Sequence, residues 1–68
     1  MSVSEQAERL RIVGLKVTGP RIAILDAVER NSHHPSAEDI YQELAEINPS
    51  LSLSTVYGTL SAFVKAGL

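Results

Sequence analysis

The sequence predicts a mostly α fold of four helices, the last two joined by a short turn. Apolar residues recur at three- and four-residue spacing in four separate stretches, and each stretch is bounded by capping residues, proline or glycine. No run alternates apolar with polar residues as a half-buried strand would.

The first helix takes its inward stripe from Val3, Ala7, Leu10 and Val13 and closes at Gly14, a residue suited to the left-handed position that ends a helix. In VTGPRIAILDAVER, Thr18 is the expected N-cap, and Pro20 sits in the first turn, where a missing N–H costs nothing. Ile22, Leu25 and Val28 form the inward stripe of this second helix, which ends near Asn31. Pro35 breaks the chain in SHHPSAEDIYQELAEI. Ser36 restarts it as a cap, with Asp39 three residues on reaching back in a variant of the capping box. This third helix is expected from about Ala37 to Ile47, with Ile40, Tyr41, Leu44 and Ile47 inward, and its acidic first turn complements the positive helix end. NPSLS is a turn, because Pro49 disfavours helical geometry at Asn48 and the serines offer capping oxygens. The fourth helix starts at Ser52 or Ser54 and runs to about Ala66, closed by Gly67.

At 68 residues the chain is one small domain, burying about 60% of the surface its unfolded form exposes. Modest stability is expected, with Leu53, Phe63 and Leu68 poorly covered. Hydrophobic residues make up 44% and charged residues 21%, an ordinary globular balance. Without cysteine there is no disulfide framework and no thiolate metal site, and no apolar stretch approaches the roughly 20 residues a membrane span needs. A cytoplasmic protein with no membrane partner is expected. No nucleophile stands near a plausible base, and there is neither a glycine-rich phosphate loop nor a cluster of metal ligands, so an enzyme is not expected.

The net charge of −2 argues, taken alone, against nucleic acid, but its distribution is uneven. Up to Ile22 the charges are Arg9, Arg11, Lys16 and Arg21 against Glu5 and Glu8, a net of +2. From Ala23 to Asn48, Arg30 stands against Asp26, Glu29, Glu38, Asp39, Glu43 and Glu46, a net of −5, and the remainder carries only Lys65. The acidic helix is expected to face away from whatever the basic end touches. Glu38, Asp39, Glu43 and Glu46 read as a solvated face.

On the fourth helix, 100° per residue gathers Leu53, Val56, Leu60, Phe63 and Val64 into an inward stripe. The opposite face holds Ser54, Thr55, Gly58, Thr59, Ser61, Ala62 and Lys65, small or hydroxylic but for one lysine. Such a face suits close approach to another surface. Gly58 at its centre gives up roughly 1 kcal/mol of helix stability and leaves the backbone accessible, while Tyr57 lies on the rim with its edge and hydroxyl available. Phe63 and Tyr41 read as core aromatics. Two helices joined by a short turn, the second presenting hydroxyls and a tyrosine near its start, form a helix-turn-helix able to enter a major groove. The same small residues suit tight packing on a protein, and the pattern alone serves both readings.

The wording of three stretches is more specific. GLKVTGPRIAILDAV, HHPSAEDIYQEL and LSLSTVYGTLSAFVKAGL resemble, in order and spacing, the N-terminal DNA-binding domain of the ferric uptake regulator family, over about Leu10 to Leu68. The resemblance implies a winged helix with the fourth helix as recognition helix. It implies sequence-specific DNA binding as part of a metal- or peroxide-responsive transcriptional repressor. The alternative is a helical protein-interaction module using the small-residue face of the last helix. Members of the family continue with a two-stranded wing, a hinge and a dimerisation domain carrying metal ligands. Residues 1–68 are therefore expected to be an incomplete N-terminal DNA-binding domain, without wing or dimerisation and metal domain.

Residue by residue, the resemblance makes Tyr57 a contact to thymines and Lys16 a reach into an A·T-rich minor groove. It places Arg21, Ser52, Ser54 and Thr55 at phosphate-contacting positions. Gly58 stands where iron-responsive members commonly carry arginine. His34 matches a histidine that in many members joins a regulatory metal site with ligands beyond residue 68, and His33 has no assignment. An imidazole suits Fe, Mn, Zn or Ni alike, so the cofactor implied is a divalent metal of the full-length protein, not one held tightly by this chain. The implied partner is double-stranded DNA with an A·T-rich inverted repeat, met by a homodimer whose closed form metal favours.

Overall fold

The computed structural model describes residues 2–31 and 33–68, with side chains described from Glu5 onward. They form α1 (Ser2–Ile12), α2 (Gly19–Arg30), α3 (Ala37–Ala45) and α4 (Leu53–Ala66), with no strand among the described residues. Helix α2 is the centre, packing on α1, α3 and α4, and α3 also packs on α4. Among the described residues, α1 leans on no helix but α2.

Local chemistry sets the helix ends. Thr18 caps α2, its hydroxyl accepting from the Arg21 amide at 3.3 Å, with Pro20 in the first turn. Ser36 and Asp39 close a reciprocal capping box on α3, each backbone N–H donating to the other's side chain at 3.1 Å. Helices α1 and α4 both end in a paired closure around a left-handed glycine. Gly14 (φ 82°) donates to the Arg11 carbonyl while Leu15 donates to that of Leu10. Gly67 (φ 86°) donates to Val64 while Leu68 donates to Phe63.

The largest fully buried side chains come one from each helix: Leu10, Ile24, Ile40 and Val56. Burying each contributes about 1.5–3 kcal/mol of hydrophobic stabilisation. Ile24, Leu25 and Ala27 are the buried face of α2, with the expected Ile22 and Val28 flanking it half-buried. Tyr41 and Phe63 join the core as expected, and Phe63 keeps its cover at 4% exposure. The expected inward position of Val3 lies outside the described side chains.

The end of α3 and the inward face of α4 differ from the expected ones. Helix α3 stops at Ala45 instead of Ile47, so Ile47 falls in the turn, where the helical period no longer aims it, and is 74% exposed. Leu51, in the turn itself, takes a core place. On α4 the buried arc is turned by about 40° from the expected one, because the helix packs on α2 and α3 together. Thr59 therefore points inward at 8% exposure, and Val64 outward at 77%.

Candidate nucleic-acid interface

The start of α4 carries a cluster of three hydroxyls. Ser52 is its N-cap: Oγ accepts from the Thr55 amide at 3.2 Å and lies 2.8 Å from Thr55 Oγ1 and 3.2 Å from Ser54 Oγ. The cap thus commits Ser52 to the helix, while Ser54 and Thr55 stand exposed beside the positive helix end. One turn on, Gly58 is exposed, and a Cβ added to it meets no heavy atom within 4 Å. The chain itself gives no packing reason for glycine there. With Thr59 turned inward, the outer face runs through Ser54, Gly58, Ser61 and Lys65, flanked by Tyr57 and Val64.

Tyr57 is 51% exposed, and its hydroxyl donates to Glu38 Oε2 on α3 at 2.7 Å. That hydrogen bond, aided by a backbone hydrogen bond at Glu38, holds the Glu38 carboxyl below its usual range. The same bond raises the Tyr57 phenol above its usual value. The acidic helix therefore does not turn wholly away from the candidate face, and Glu38 is more than a solvated charge. Its partner lies 19 residues away in sequence, so helical spacing carried no signal of the pair. Glu43 does turn elsewhere, to Arg30 of α2 at 2.6 Å.

The second set of expected residues lies on the α1–α2 connection and the first turn of α2. Lys16 is exposed, and Arg21 donates through Nη1 to the Lys16 carbonyl at 2.9 Å. The structure thus joins Lys16 to Arg21, and Ser52 to Ser54 and Thr55. Among the described residues no hydrogen bond or ion pair links the two sets. His34 stands apart from both, exposed between α2 and α3 with φ 52°, a left-handed conformation that histidine adopts more readily than most side chains. No group of three His, Cys, Asp or Glu side chains that could hold a metal occurs among the described residues. These residues alone do not fit a metal site. No helix of the described residues is long and apolar enough to cross a membrane.

Known proteins resemble this chain in sequence and in fold. The ferric uptake regulation protein of Legionella pneumophila is 43% identical over 65 residues, covering 94% of this chain and 48% of that protein. The Escherichia coli K12 protein of the same name is 45% identical over 60 residues, covering 87% and 40%. A structure of PerR from Streptococcus pyogenes, described in terms of peroxide sensing and gene regulation, superposes with a TM-score of 0.82 at 35% identity, covering 97% of this chain and 45% of that one. A PerR-Zn-Zn structure superposes with a TM-score of 0.81. The chain spans less than half the length of each of these relatives. Since the model of the ferric uptake regulator family matches residues 12–68, most of the length, the chain belongs to that family.

Proposed function

We propose that this chain is the DNA-binding part of a metal- or peroxide-responsive transcriptional repressor, with α4 as the helix that enters the major groove. The observation that carries this reading is Gly58, exposed in mid-helix, with no neighbour that requires its missing Cβ, on a face of small and hydroxylic residues. A backbone left bare at a cost of roughly 1 kcal/mol suits close approach to a groove. Tyr57 offers its ring to thymine methyls, and the exposed Ser54 and Thr55 hydroxyls suit phosphate oxygens. Ser52 contributes by holding the helix start, and its backbone lies at the same anion-favouring end. Lys16 reaches the flanking minor groove, and Arg21 supports it. In the complete regulator His34 supplies one imidazole to a divalent-metal site together with other donors, and a homodimer meets an A·T-rich inverted repeat.

The test is an NMR titration of the labelled chain with a short A·T-rich inverted-repeat duplex at low salt. Shifts confined to Lys16, Arg21 and residues 52–61, fading as salt rises, are expected, since each phosphate contact contributes about −0.9 to the slope of log K on log salt. A folded chain with no shifts there at millimolar DNA would defeat the reading. Binding to another protein through this face, insensitive to salt, would make it a protein-packing surface instead.

A further inference from the structure

We infer that Glu38 is a positioning residue for Tyr57, anchoring the phenol from a second helix so that the ring, and not its O–H, meets the partner of α4. The inference rests on the DNA-binding reading and names how that face recognises a base. Tyr57 is half exposed on the outer rim of α4, so its own helix leaves the far end of the ring free to swing about two torsions. The 2.7 Å bond to Glu38 removes that freedom. The anchor stands on a fixed point: Glu38 lies in the first turn of α3, between Ser36 and Asp39, whose capping box holds the backbone of that turn. Helices α3 and α4 are themselves packed together.

The chemistry of the contact follows. A phenol has one donor, and here it is spent on a carboxylate. What remains for a partner is the ring edge and face, suited to an apolar group such as the thymine C5-methyl, and an oxygen that can only accept, which a phosphate oxygen cannot use. The carboxylate itself repels phosphate. Glu38 thus turns Tyr57 from a general polar contact into one that reads methyl groups.

Two variants separate the anchor from the charge. Glu38→Ala and Glu38→Gln remove the same negative charge, but only Gln keeps a hydrogen-bond acceptor. Glu38→Gln is expected to bind an A·T-rich duplex about fivefold more tightly than Glu38→Ala, the worth of holding one side chain in place. That difference is expected to vanish when each is combined with Tyr57→Phe. In the free protein, NOEs between the Tyr57 ring and side chain 38 and a single χ1 rotamer should persist in Glu38→Gln. Both should be lost in Glu38→Ala, with both variants still unfolding cooperatively. Equal affinities of the two Glu38 variants in a chain whose wild type binds the duplex would overturn the inference, as would a difference that survives Tyr57→Phe. A wild-type chain that bound no duplex would overturn the DNA reading instead, and the free-protein rotamer would then decide alone whether Glu38 positions the ring.

Discussion

The Arg21 guanidinium donates to the backbone carbonyl of Lys16 at 2.9 Å, tying the α1–α2 connection to the first turn of α2. Its backbone N–H also donates to the hydroxyl of Thr18, which caps the same turn. A cation bound to a main-chain oxygen holds the loop and orients the next cation along it. Arg21→Ala is expected to speed amide exchange across residues 14–18 and to weaken DNA binding, while Lys16→Ala weakens binding and leaves the exchange unchanged. Equal exchange in the two variants would show that Arg21 acts by its own charge alone.

At Gly58 stability and binding are expected to move in opposite directions. An added Cβ meets nothing within 4 Å, so Gly58→Ala removes only the conformational cost of glycine. Urea unfolding should show a gain of roughly 1 kcal/mol. If the bare backbone serves close approach to a groove, the same variant binds duplex more weakly. A variant that is more stable and binds equally well would show that nothing approaches α4 there.

Two isoleucines on one expected stripe should part company. Ile40 is 1% exposed and Ile47 is 74% exposed, beyond the end of α3. Ile40→Ala is expected to cost about 2–5 kcal/mol, the range for large-to-small changes in a core. Ile47→Ala should stay within about 0.5 kcal/mol of wild type, as surface changes do. Denaturant melts of both variants check the pair, and a large loss at Ile47 would mean that the turn after α3 packs inward.

What was legible in the sequence is what acts over a few residues. Thr18, Ser36 and Ser52 cap within three residues, and Gly14 and Gly67 close their helices over the preceding turn, so the four elements follow from local rules. What escaped depends on the positions of other helices. Periodicity identifies a stripe on α4 but not the angle at which α2 and α3 meet it, so Thr59 and Val64 exchanged places. Leu51 lies in a turn, where no period applies, yet it is buried. At the candidate interface the residue types were readable and their couplings were not. Arg21 acts on a backbone oxygen, which no side-chain pattern reveals, and Glu38 reaches a tyrosine on another helix.

The Tyr57–Glu38 bond also predicts how stability responds to pH at both ends of the scale. The bond needs a protonated donor and is strongest with an ionised acceptor. Glu38 is lowered from its ordinary 4.5, chiefly by the Tyr57 hydroxyl. The native state therefore favours the carboxylate, and this contribution is present above the unfolded value and lost as pH falls through the lowered folded one. Tyr57 is raised from its ordinary 10.0, chiefly by the bond to Glu38, so the native state favours the protonated phenol. That contribution is complete below the unfolded value and disappears as pH rises through the raised folded one. Both groups are exposed, so the effect is small and best read as a difference. Melting temperatures of wild type and Glu38→Ala, measured across the scale, should differ by a constant amount on the plateau between the two ordinary values and converge at either end. Titrating groups that do not interact with Glu38 cancel. Parallel curves at all pH values would show that solvent breaks the bond, and Tyr57 would then meet its partner as a free donor.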